Sequence, residues 1–171
     1  MESEEYAGAT PNERLKEAAR ADDEKTLLEI FDHPGTFDIN HQDGAGNTAL
    51  HYAAKHGSLD VLEYILSHEE CDVDPINRLG ETPLHLAISS TEIDEEDSGL
   101  REEVVESLLD AGADVTIEDA GGRTATSLSA KNKAIKSLLQ KAQLNATISK
   151  DDIADDDEDG YAGSGSGSDD N

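Results

Sequence analysis

Gly46-Asn47-Thr48-Ala49-Leu50-His51-Tyr52-Ala53-Ala54-Lys55-His56-Gly57-Ser58-Leu59-Asp60-Val61-Leu62 decides the fold, because its opening returns as Gly80-Glu81-Thr82-Pro83-Leu84-His85-Leu86-Ala87, with Thr82 standing 34 residues after Thr48. Self-similarity at such a period signals stacked repeats. The parts of the unit have separate jobs. Thr48 is placed to cap the free amides of a helix, and Leu50, Ala53 and Ala54 recur at helical spacing along one face. Pro83 follows Thr82 at the first helical position, where the missing amide proton costs nothing. Gly57-Ser58 ends one helix and starts another that carries Val61, Leu62, Ile65 and Leu66 inward. Each repeat therefore reads as a turn and two antiparallel helices.

The combination G-x-T-[PA]-L-H-x-A, seen twice in register, resembles the ankyrin repeat. The resemblance implies an all-α solenoid of about four helix pairs with β-turn fingers along one edge, and a concave surface that binds other proteins. It implies no common chemistry. It also implies structural tasks for Thr48, Leu50, His51, Thr82, Pro83, Leu84 and His85, the two histidines tying a finger's backbone to its helix. By the same resemblance the partner-contacting positions are Ala45, Asn47, Lys55, His56, Arg78, Leu79, Glu81, Ser89, Ser90, Ala120 and Arg123. Leu79 is either a contact anchor at a finger tip or a packing residue against the next finger. Tyr52 reads as packing between helices.

Outward from the central repeats the pattern weakens in both directions. Residues 1–12 lack periodicity and read as a disordered acidic N-terminus. Residues 13–40 read as an N-terminal capping repeat: Leu15, Ala18 and Ala19 line its first helix, Asp22-Asp23 makes the turn, and Leu27, Leu28, Ile30 and Phe31 build its second helix. Terminal repeats meet water on one side, so departures there are expected. One repeat spans 41–74 and another 75–116. The latter stretches its period to 42 residues, Thr82 to Thr124, through an acidic insertion at 91–99 that reads as a solvated loop. Residues 117–144 form a C-terminal capping repeat in which Thr126 and Ser127 replace the leucine and histidine, and its last helix spans Lys133 to Ala142. Residues 145–171 have the composition of a disordered acidic tail.

The 171 residues carry 40 acids against 13 bases, for a net charge of −27. Such a field repels phosphate backbones and anionic lipid, so nucleic acid and membrane surfaces are excluded as direct partners, while a basic protein is favoured. The other reading of the same charge is solubility alone. No stretch approaches the ~20 apolar residues of a membrane span, and the acidic start differs from a secretory signal. Cys71 is the single cysteine, which rules out an internal disulfide and favours a reducing cytoplasmic or nuclear location.

Nothing in the sequence assembles a catalytic, metal or cofactor site. His33, His41, His56 and His68 have no ligand spacing. Asp155-x-Asp157-x-Asp159-Gly160 imitates half of a calcium loop but places Ser166 where a bidentate glutamate belongs. Gly44-x-Gly46 is a turn, since no buried strand precedes it and no lysine follows. Ser164, Ser166 and Ser168 lie in an acidic setting suited to phosphorylation, with Asp169 three residues after Ser166. The expectation is a non-enzymatic, monomeric binding protein without cofactor. It takes a basic partner, in one version as an escort chaperone for a ribosomal protein or histone. The alternative is an adaptor whose concave face binds a signalling or transcription partner.

Overall fold

The three threonines at equivalent positions start three helices in the same way. In a computed structural model that describes residues 8–94, 96 and 98–148, Thr48, Thr82 and Thr124 have extended backbones and accept a bond from the amide three residues on. The third-position side chain, His51, His85 or Ser127, reaches back to the cap's own amide, so two orphan donors are satisfied at each start. Eight α-helices are described: α1 (Pro11–Ala21), α2 (Glu24–Phe31), α3 (Ala49–His56), α4 (Leu59–Ser67), α5 (Pro83–Ser89), α6 (Ser98–Asp110), α7 (Ala125–Leu128) and α8 (133–148). A 3₁₀ turn, Ser129–Lys131, joins α7 to α8. No strand occurs among the described residues.

The helices pair as α1–α2, α3–α4 and α5–α6, and the first members stack in the order α1–α3–α5–α7. Their partners lie behind them in the order α2–α4–α6. No layer can bury its own apolar face, so neighbours share one continuous core. Leu15, Leu27, Leu50, Leu62, Leu84, Leu108, Ile135 and Leu139 are all fully buried in it. Each such side chain contributes about 2 kcal/mol relative to exposure. Leu28, by contrast, faces outward and is 40% exposed, so it does not help build the second helix's buried face.

Three boundaries differ from the sequence reading. Thr10 caps α1 through a reciprocal pair with Glu13, so ordered chain begins inside the stretch assigned to the N-terminus; residues 1–7 lie outside the described residues. α8 continues to residue 148, past the assigned start of the tail at 145, and there Ala142 and Ala146 border an open cavity shared with residues 112–116. Of the tail, including the calcium-loop imitation and the serines, residues 149–171 lie outside the described residues.

The insertion is the third difference. Ile93 is buried and packs, with Leu100, over Gly57 of the preceding repeat. Ser90 donates its hydroxyl proton to the Lys55 carbonyl. Arg101, also buried, sends its guanidinium to the carbonyls of Ala87, Ile88 and Ile93 at 2.9, 3.1 and 2.8 Å. Ser98 and Gly99 already belong to α6. The segment is therefore anchored at both ends and not simply a solvated loop. Its acids, such as Glu92 and Asp94, face water while one apolar and one guanidinium side chain hold it down.

Candidate protein-binding surface

Each finger is made by one residue five positions before the capping threonine. The side chain of Asp43, Asn77 or Asp119 accepts from the amides two and four residues ahead, at 2.8–3.0 Å. The same residue's amide donates across the finger to Asn47, Glu81 or Arg123. Hydrogen bonds led by the Arg123 amide, together with the Arg123 guanidinium 2.7 Å away, hold the Asp119 carboxyl below the usual range against the opposing effect of burial. The recurrence of these builders at a constant distance from Thr48, Thr82 and Thr124 is their signal in the sequence.

The fingers are stitched side by side. Arg78 donates its amide to the Ala45 carbonyl at 3.0 Å, and Ala120 to Leu79 at 2.9 Å. Asn77 Nδ2 donates to Asn47 Oδ1 at 2.9 Å. The histidines then fasten each finger to the helix of the layer before it: His51 Nε2 donates to the Glu81 carbonyl and His85 Nε2 to that of Arg123, both at 2.9 Å. Because Nδ1 in each ring accepts from the threonine amide, the proton sits on Nε2 and the ring is neutral. Burial, the largest cause, pushes the His51 pKa below 6.5.

Of the residues expected to meet a partner, Ala45, Arg78, Leu79, Ser89, Ala120 and Arg123 are exposed, and Lys55, His56, Asn47 and Glu81 are half-buried. Asn47 and Glu81 are both engaged by Asn77. Ser90 is buried against the Lys55 carbonyl and is withdrawn from the contact surface, since the insertion is fastened through it. Leu79 is 63% exposed and projects from the finger tip, so it is not packed against the next finger. Ile76, which the sequence reading did not single out, is 54% exposed on the same finger. Tyr52 is half-buried, donates to Asp43 and lies under the Arg20 guanidinium, so it lines the groove between fingers and helices as well as packing.

Charge is distributed unevenly between the two sides. The groove and fingers mix signs, with Arg20, Lys55, Arg78 and Arg123 among Glu17, Glu81 and Asp119. The outer helices α2, α4 and α6 instead carry Glu24, Glu29, Asp60, Glu63, Glu102, Glu103, Glu106 and Asp110, and their one accessible base is Lys25. A repeating first-helix motif leaves little freedom for charge inside, whereas the outward positions of the second helices are unconstrained.

Among the described residues no group of three or more His, Cys, Asp or Glu side chains is placed to hold a metal ion. The Cys71 thiol is half-buried, and burial pushes its pKa up to about 11. None of the described helices is long and apolar enough to cross a membrane.

A family model for ankyrin repeats matches three copies over residues 15–119. The ankyrin repeat-containing protein YGL242C of Saccharomyces cerevisiae is 31% identical over 164 residues, covering 90% of this chain and 88% of its own. The putative ankyrin repeat protein YahD of Escherichia coli is 31% identical over 119 residues, with 69% of this chain matched but only 56% of YahD. Among solved structures, an ankyrin repeat domain from Acinetobacter baumannii superposes with a TM-score of 0.68 at 26% identity, over 80% of this chain and 71% of that one.

Proposed function

The chain belongs to the ankyrin-repeat family, whose repeats form protein–protein interaction modules, and from that premise we propose that it binds a basic protein partner without catalysing a reaction. The observation that carries this reading is the side-by-side array of α2, α4 and α6, with eight carboxylates to one accessible base. Such a surface raises the local concentration of a cationic partner and speeds its encounter. The fingers then supply selectivity through Arg78 and the exposed Ile76 and Leu79. In the escort version, a histone or ribosomal protein in the cytoplasm or nucleus is shielded by one chain until it is handed to its assembly.

The test titrates the full chain with a purified core histone and with a basic ribosomal protein at about 50 and 300 mM salt, where screening lengths differ severalfold. A variant with Glu24, Glu63, Glu103 and Glu106 changed to glutamine is measured beside it. The proposal expects binding of at least one of the two, weakened at least tenfold by salt and by the neutralised helices. No binding, or binding indifferent to both changes, refutes it. The exposed apolar pair on the second finger favours the adaptor as second reading. There the neutralised variant captures its partner normally and Leu79→Ala abolishes capture.

A further inference from the structure

In a chain with 40 acids and 13 bases, one cavity has the opposite character. It measures about 530 Å³ and opens where the loop after α5 faces the 3₁₀ turn of the last repeat. Arg101 and Lys131 line it, together with Thr91, Ser89 and Asn132, and no carboxylate does. Four other cavities of the described surface each include at least one. The Arg101 guanidinium bonds to three carbonyl oxygens, which are neutral acceptors, so those contacts fix its position without cancelling its charge. Lys131 is exposed and makes no ion pair among the described residues. Such a setting suits a phosphoryl group.

The hydroxyls around the cavity are not equally available. Ser89 donates to the His85 carbonyl within α5, Ser90 to Lys55, and Ser129 to Thr126. Thr91 is exposed on a bend outside any helix, and its hydroxyl has no hydrogen bond among the described residues. The sequence after it runs Glu92-Ile93-Asp94-Glu95-Glu96. Protein kinases select substrates by such charge patterns, and a kinase with a basic substrate cleft reads acids following the target.

We propose that Thr91 is a phosphorylation site and that its phosphoryl group is received by Lys131 and Arg101. The Thr91 hydroxyl oxygen forms a bond to the γ-phosphorus of a nucleoside triphosphate, the bond to the bridging oxygen breaks, and the nucleoside diphosphate leaves. The hydroxyl proton passes to the kinase's base. The site gains about −1.5 to −2 charges. Facing only Glu92, Asp94 and Glu96, that charge repels. Facing Lys131 and Arg101, it adds a tie between the insertion and the final repeat across the cavity that separates them, beside the contacts those layers already share. The mark is thus a fastening between the third and last repeats, independent of which partner the chain carries.

The full chain and Thr91→Ala are treated in parallel with an acid-directed protein kinase and magnesium ATP, mapped by fragment mass spectrometry, and melted. Parallel treatment subtracts phosphate added elsewhere, as at Ser164, Ser166 or Ser168. The expected result is phosphate on Thr91 and a midpoint raised by about 3 °C relative to its own untreated form, with no comparable rise in Thr91→Ala. In Lys131→Gln the rise falls by at least half. Phosphate on other hydroxyls with Thr91 unmodified overturns the proposal. So does a modified Thr91 with an unchanged or lower midpoint, or a rise that Lys131→Gln leaves intact.

Discussion

Replacing Gly80 by alanine tests whether the fingers are held by one another or only by their own helices. Gly80 has φ +74°, a left-handed conformation that costs an L-residue about 1–2 kcal/mol. A Cβ there stands 2.8 Å from the Ala120 amide nitrogen, a backbone atom that cannot swing aside. Relief requires the second and third fingers to part, which sacrifices the bond from Ala120 to the Leu79 carbonyl, worth about 1 kcal/mol net. Alanine also restricts the unfolded chain, returning about 0.4–1 kcal/mol. The balance is a loss of about 2 kcal/mol. Gly122 is the matched control: its φ is +75°, but nothing lies within 4 Å of an added Cβ, so Gly122→Ala loses only about 1 kcal/mol. Urea unfolding of both variants, followed by circular dichroism, gives the comparison directly. Equal losses in the two variants refute the claim that inter-finger contact contributes to stability.

Two further outcomes follow from the hydrogen-bonded machinery. The His51 pKa is lowered on folding, so the unfolded chain takes up its proton first; the stability linked to this ring is complete above pH 6.5 and is lost as pH falls through the lower folded value. Urea midpoints measured down to about pH 5 should decline, and His51→Gln should flatten part of that decline. Arg101→Met keeps the aliphatic volume but removes three charge-assisted bonds to carbonyls, for an expected loss of about 3 kcal/mol. Limited proteolysis should then cut between Ser90 and Gly99 sooner than in the parent chain, and an unchanged cleavage rate contradicts the anchoring role of Arg101.

What the sequence made legible were residues whose partners are close along the chain. Thr48 and Thr82 speak to amides three residues away, and Leu50 and Leu84 belong to a face that repeats every turn, so cap, helix and layer are readable without coordinates. Ile93 and Arg101 are different. Their partners are Gly57 in the previous repeat and carbonyls on α5, and both sit in or beside a run of Asp and Glu whose composition says loop. Local pattern has no access to a contact of that kind. The end of α8 was hidden for another reason: after Leu139 no side chain is buried, so the helix continues without an apolar face to mark it.

The placement of charge lies between these cases. Its amount is plain from composition, but composition assigns it to no face. Once helices α2, α4 and α6 are known to stand together, the acids at their outward positions become one surface, remote from the fingers that the family resemblance had put forward as the contact site. Attraction and selection are then separable properties of the molecule. If the partner is basic, as proposed, the outer helices draw it in before any finger touches it, so neutralising α2, α4 and α6 should slow association, whereas Leu79→Ala should hasten dissociation. A stopped-flow measurement in which both changes act on the same rate constant contradicts that division.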